Sequence, residues 1–355
     1  MRYTGLIEKY RDRLAIDSNT KIISLGEGNT PLIQLKNIPK IIKKDVDIYI
    51  KFEGLNPTGS FKDRGMTMAV TKAYESGSKA IICASTGNTS ASAAAYAARA
   101  GIKSFVLIPE GKIAMGKLAQ AMIHGSVIIQ IKGNFDDGMR LVKEVANEAP
   151  VSIVNSINPF RLQGQKTQAF EIIEELKDAP DYHSLPVGNA GNITALWMGY
   201  NEYKNDLLAN KLPIMLGYQA EGSAPIVKKR IIENPKTIAS AILIGNPQSW
   251  EKAIKAEKES KGWFAAFSDT EILKTQKMLA SKEGIFCEPS SAVSVAGVLN
   301  DIQSGQIKEG SKIVCTLTGH GLKDPDTAIN QCQDEMISIE PTLANVKQAI
   351  LNNIK

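Results

Sequence analysis

Histidine and cysteine are scarce in this sequence of 355 residues, which has His124, His183 and His320, and Cys83, Cys287, Cys315 and Cys332. No H-E-x-x-H run, C-x-x-C spacing or Ser-His-Asp-like grouping occurs, so zinc, dithiol and triad chemistry have no support. The cysteines read as buried thiols of a reducing cytosol, not as a disulfide frame. No apolar run approaches the length needed to span a bilayer, and the opening Met-Arg-Tyr-Thr-Gly-Leu lacks the apolar core of a signal peptide. Long basic blocks are missing too. The formal charge of +5 is spread along the chain, which argues against a nucleic-acid partner and suits an anionic small substrate. With no solenoid-length repeat and no low-complexity segment, the expectation is a soluble, cytoplasmic, globular protein.

What is present is a core-forming composition, 43% apolar and 22% charged, in a chain long enough for about two domains. Short apolar runs alternate with helical stretches: Ile48–Phe52, Ala80–Ala84, Phe105–Ile108, Val127–Ile131, Val151–Val154, Leu185–Val187, Ile214–Tyr218 and Ile313–Thr316. Between them, stretches such as Ser90–Arg99 and Lys166–Lys177 have helical periodicity, so the pattern predicts an α/β fold of parallel sheets covered by helices. Residues 1–20 look helical, and 246–267 looks like an irregular excursion over the core. The tail 342–354 puts Leu343, Val346, Ile350 and Ile354 on one stripe, which suits a docked terminal helix or an oligomer contact.

The stretch Asn56-Pro-Thr-Gly-Ser-Phe-Lys-Asp-Arg-Gly-Met66 organises the rest. Its first four residues are turn chemistry, and Ser60 with Asp63 reads as an N-cap and its acidic partner, which places Lys62 in the first helical turn. The positive pole of a helix disfavours an ammonium and so favours the neutral amine that can attack a carbonyl. A solvated lysine is the plain alternative. A phosphate loop is not, because Ser60 and Phe61 separate the second glycine from the lysine.

Three further polar, glycine-bearing loops follow expected strands, where open parallel sheets gather ligands. Ser85-Thr-Gly-Asn-Thr-Ser90 precedes an alanine-rich helix whose free N–H groups suit a carboxylate, with Asn88 able to meet a phenolic oxygen; capping by Asn88 or Thr89 explains it equally. Gly188-Asn189-Ala190-Gly191-Asn192 reads as a phosphate cup rather than a dinucleotide site, against a merely structural turn. Thr318-Gly-His-Gly321 offers a hydroxyl to a ring nitrogen, or is an ordinary turn. Near another strand end lie Ser156, Arg161 and Lys166, where Arg161 could bind an anion bidentately or, following Asn-Pro-Phe, be a solvated loop residue. A lysine, a phosphate cup and a ring-nitrogen partner are together what pyridoxal phosphate requires.

These segments, with Lys51-Phe-Glu-Gly-Leu55, Glu288-Pro-Ser-Ser291 and Leu322-Lys-Asp-Pro325, resemble the threonine synthases. That family shares its pyridoxal-phosphate fold with tryptophan synthase β and the serine/threonine dehydratases. The likeness runs from about Ser24 to Pro325 with order and spacing intact. It implies two open, mainly parallel twisted sheets, with a small domain 55–151 against a larger one from 1–54 and 152–355. It implies that Lys62 forms the Schiff base, that Gly188, Asn189, Ala190, Gly191 and Asn192 bind the cofactor phosphate, and that Asn88 and Thr318 meet the ring. Ser85, Thr86 and Thr89 would hold the substrate carboxylate; Asn155, Ser156, Arg161 and Lys166 would hold the leaving phosphate. The implied reaction turns O-phospho-L-homoserine and water into L-threonine and phosphate in a cytoplasmic homodimer. The alternatives are a serine/threonine dehydratase and a non-catalytic regulator that binds a phosphorylated ligand.

Overall fold

The computed structural model describes residues 2–110, 115–133, 135–332 and 336–354. Its strands are Leu32–Gln34 (β1), Asp47–Phe52 (β2), Ala80–Ala84 (β3), Lys103–Pro109 (β4), Val127–Ile131 (β5), Val151–Ile153 (β6), Tyr182–Pro186 (β7), Ile214–Ala220 (β8), Trp263–Phe267 (β9) and Lys312–Leu317 (β10). Six form a sheet in the order β1-β2-β10-β7-β8-β9, and four form a second in the order β5-β4-β3-β6. Only β1 pairs antiparallel among the described strands; the rest are parallel. Strand β3, Ala-Ile-Ile-Cys-Ala, is buried at every position, as a parallel strand covered on both faces must be.

Helices Lys62–Glu75 and Asn88–Ala100 pack Met66, Ala69, Val70, Ala93, Ala94 and Ala97 with Ile81 and Cys83 of the small sheet. On the large sheet, Pro159–Leu176 and Gly191–Asn205 bury Phe170, Ile173, Leu196 and Tyr200 together, while Pro289–Gln303 packs Ala292, Val293 and Val298 into a separate cluster. The helix of Lys62 and the helix of Arg161 touch backbone to backbone. A Cβ added at Gly164 would run into the carbonyl oxygen of Arg64, and one at Gly65 would lie 3.0 Å from that of Arg161.

Beside this contact lies a buried ionic network. Arg64 donates from Nε and Nη2 to Glu53 at 2.6 and 2.8 Å, and from Nη1 and Nη2 to Glu171 at 2.8 and 2.6 Å. Lys51 Nζ pairs with Glu171 at 2.7 Å and donates to the Thr30 carbonyl at 2.6 Å. Burial alone would raise the Glu171 pKa, but Arg64 and Lys51 overcome it and hold this carboxyl well below the usual range.

Several expectations need correcting. Residues 1–20 yield only a short helix, Leu6–Lys9, and a 3₁₀ turn, Arg11–Arg13. The supposed excursion contains strand β9 at the sheet edge. Helix Pro159–Leu176 begins well before Lys166, because the Asn158 side chain accepts from Phe160 N–H and Pro159 supplies a preset φ at the first helical position. Cys332 is exposed, unlike the other cysteines. The terminal helix Leu343–Asn353 forms, but its stripe is exposed and does not dock on the described chain. No helix among the described residues is long and apolar enough to cross a membrane. None of their His, Cys, Asp and Glu side chains form a group able to hold a metal ion.

Candidate active site

Strand β2 runs through a 3₁₀ turn, Glu53–Leu55, into the lysine loop, and Lys62 is the first residue of its helix. The cap differs from expectation. Ser60 makes no capping bond; it pairs by a β-bridge with Gly319, and the next N–H, that of Phe61, donates to the Thr318 carbonyl at 2.9 Å. Asp63 does not reach back to a cap but accepts from Thr58 N–H, Thr58 Oγ1 and Ser92 Oγ at 2.6–2.7 Å. Burial pushes its carboxyl up to about 6 against those bonds. The result is that the segment leading into Lys62 and the loop of Thr318 are joined by their backbones.

Lys62, Asn88, Ser156, Arg161, Gly188–Asn192 and Thr318 line one cleft, with Phe61, Leu162, Gln165, Pro186, Ala241 and Ile242. The Lys62 amine stands 4.2 Å over the Phe61 ring. Burial, then the Arg161 charge, push its pKa down to about 7, while Glu288 pulls the other way. At neutral pH a large share of this amine is therefore unprotonated and nucleophilic.

Two helices start at the cleft without a side-chain cap. Asn88–Ala100 follows Gly87, and Gly191–Asn205 follows Ala190, which adopts a left-handed φ of 62°. Their first N–H groups and positive poles favour anions. Both amide atoms of the buried Asn192 are without a partner among the described residues. In the same lining, Arg161 is buried; its Nη1 donates to the Val154 carbonyl at 3.1 Å, while Nε and Nη2 find no partner among the described residues. Burial lowers its pKa to about 10, so it stays charged at neutral pH.

Orphaned donors at an uncapped helix start, a depressed lysine and a hydroxyl at Thr318 form a donor set that fits pyridoxal phosphate. Ser85, Thr86 and Thr89 stand half-buried or exposed beside Asn88, outside the cleft lining, and Ser85 Oγ accepts from Gly87 N–H at 3.2 Å.

Two of the residues expected at the leaving phosphate have partners within the chain. Asn155 spends its side chain on the Ala84 backbone, accepting from N–H at 3.0 Å and donating to the carbonyl at 2.9 Å, so it ties β6 to β3. Lys166 points away, onto Glu202 at 2.6 Å and the Arg13 carbonyl at 2.9 Å. Sequence reasoning misses Gln165: it is buried, its Oε1 has no partner among the described residues, and it stands one turn beyond Arg161 on the same helix. The Asn158-Pro159 start would have revealed that helix face. Glu288 was also missed as a site residue: Asn88 Nδ2 donates to both its carboxylate oxygens, at 3.1 and 3.2 Å.

Glu288→Gln removes the charge that favours the ammonium of Lys62. Capture of pyridoxal phosphate by cofactor-free protein should fall as pH drops and the amine gains its proton. In the variant, the midpoint of that fall should move below about 7. An unmoved midpoint in stopped-flow absorbance would show that the Glu288 charge does not reach the amine.

Residues 23–319 match the family described as "Pyridoxal-phosphate dependent enzyme". A threonine synthase of Synechocystis sp. is 53% identical over 350 residues, covering 98% of this chain and 91% of the relative. One of Mycobacterium bovis is 57% identical over 340 residues, covering 96% and 93%. One of Methanocaldococcus jannaschii is 51% identical over 355 residues, covering 98% and 87%. Among solved structures, maize serine racemase superposes with a TM-score of 0.75 at 22% identity, over 92% of this chain and 97% of that one. An O-ureido-L-serine synthase gives 0.75 at 18%, over 92% and 97%. These two likenesses bear on the fold, two open and mostly parallel sheets, whereas the near full-length relatives bear on the activity. The chain belongs to the threonine synthase family of pyridoxal-phosphate-dependent enzymes.

Proposed function

We propose that the protein converts O-phospho-L-homoserine and water to L-threonine and phosphate. The observation that carries this reading is Arg161, a buried guanidinium lining the cleft of Lys62 with two nitrogens that have no partner among the described residues. A dehydratase, whose substrate bears no phosphate, has no need of it. Ser156, also in the lining, stands near enough in sequence to share the same anion.

In this reading Gly188–Asn192 hold the cofactor phosphate, Asn88 the ring hydroxyl and Thr318 the ring nitrogen. Ser85, Thr86 and Thr89 take the substrate carboxylate at the uncapped helix start. The bound cofactor supplies a conjugated sink for the electron pair left at the substrate's α carbon. Lys62, near neutrality in pKa, takes protons from the α and β carbons and returns them. The γ C–O bond breaks and its electron pair leaves with phosphate, which Arg161 stabilises as charge develops. The γ carbon gains a proton to become the methyl group, and water gives its oxygen to the β carbon and its proton to the site. We place residues 55–151 in a smaller unit and 1–54 with 152–355 in a larger one, in a homodimer acting in the cytoplasm.

The test is phosphate release from O-phospho-L-homoserine by cofactor-loaded protein with the amino acid identified. Equimolar phosphate and threonine are expected. 2-Oxobutyrate from threonine, with no phosphate released, would move the chain to the dehydratases. Arg161→Leu removes charge-assisted donors of about 2–3 kcal/mol, so kcat/KM should fall by roughly two orders of magnitude. Its cofactor absorbance should stay unchanged; a loss confined to cofactor binding would reassign Arg161.

A further inference from the structure

The Glu288-Pro-Ser-Ser291 segment opens the helix Pro289–Gln303, and Ser291 is fully buried there. Its Oγ accepts from Gly319 N–H at 3.0 Å and lies 3.0 Å from Thr318 Oγ1. A second acceptor, the Gly319 carbonyl, is further away at 3.4 Å and already takes Glu288 N–H at 3.0 Å. A serine hydroxyl has one proton to give. The contact between the two hydroxyls admits either as donor; the shorter distance and the less occupied oxygen favour the arrangement in which Ser291 donates and Thr318 accepts. The proton of Thr318 is then left to point into the cleft that Thr318 lines.

We propose that Ser291 is a positioning residue that sets the direction of this hydrogen-bond chain, Gly319 N–H to Ser291 to Thr318, so that Thr318 donates to the cofactor's pyridine nitrogen and holds it unprotonated. The proposal rests on the reading of Thr318 as the ring partner. Without Ser291 the Thr318 hydroxyl is free to turn, give its proton to another acceptor and accept from a protonated ring nitrogen instead. Ser291 thus acts on the electronic state of the ring through Thr318 and touches neither substrate nor cofactor.

The experiment loads the protein with pyridoxal phosphate labelled with ¹⁵N in the ring and records the nitrogen resonance of the wild type, Ser291→Ala, Ser291→Cys and Thr318→Val. Circular dichroism confirms that each is folded. Ser291→Ala should move the resonance upfield, towards the pyridinium position, and weaken cofactor binding several-fold. Ser291→Cys, whose thiol is a poor donor, should shift it the same way with less disturbance of packing, and it stands in if the alanine variant fails to load. Thr318→Val should move the resonance the opposite way, since the nitrogen then has neither donor nor proton. A ring nitrogen unmoved in both Ser291 variants but shifted in Thr318→Val overturns the role of Ser291 alone. A nitrogen unmoved in all three overturns the reading of Thr318 and the proposal with it.

Discussion

Lys62→Ala folds, keeps its cleft and loses turnover by at least about four orders of magnitude, the combined worth of a nucleophile and a proton carrier. No other lysine lines the cleft among the described residues, so nothing is placed to take over. Stability should not suffer. The amine is held near 7 in the folded chain, against 10.5 for an ordinary lysine, so between those values the unfolded chain binds more protons. Stability then rises with pH across that window in the wild type, and the rise is missing in the variant. Phosphate release by cofactor-loaded protein and thermal melting of cofactor-free protein at pH 7 and pH 9 check both statements. Turnover within tenfold of wild type in purified Lys62→Ala would end the assignment.

Arg64→Met should destabilise the fold by about 3–5 kcal/mol, because it leaves Glu53 and Glu171 with one buried cation in place of two. The sign follows from the carboxylates. Both are buried and were arranged around a guanidinium that gives four of their bonds, so removing it strands charge that Lys51 alone does not match. Activity should fall with stability, since Arg64 stands two residues from Lys62. The denaturation midpoint in urea measures the effect. A loss under about 1 kcal/mol would mean that water reaches the carboxylates in the variant.

Much of the frame was legible because it is local. Ala80–Ala84 and Val127–Ile131 announce themselves by composition, and the strands found coincide with the runs. Strand β7 was placed too late because its first residues look polar; His183 is buried, and its ring nitrogens bond Tyr200 and Thr316 at 2.8 Å, partners supplied by a helix and another strand. The lysine was put in the right turn of the right helix through a cap that does not exist. What holds the loop is Gly319 and Thr318, from the far end of the sequence, and such pairings leave no local signature. The same reason explains Asn155 and Lys166. Residue type says what a side chain can bind, while the competing partners, Ala84 and Glu202, come from other elements. Glu288 and Ser291 were visible as a motif but had no role until folding brought them to Asn88 and Thr318.

The contact at Gly164 bears on what the cleft can measure. Any side chain at position 164 would collide with the backbone carbonyl of Arg64, two residues beyond Lys62. The backbones that carry Lys62 and Arg161 are therefore held at close quarters, like the two arms of a set gauge. On the proposed reading of Arg161 as the phosphate's partner, the span between a substrate's α carbon and its anionic end meets that backbone spacing. On that reading a phosphorylated amino acid one methylene shorter would reach one arm and miss the other, so the close packing at Gly65 and Gly164 would bear on the chain length accepted.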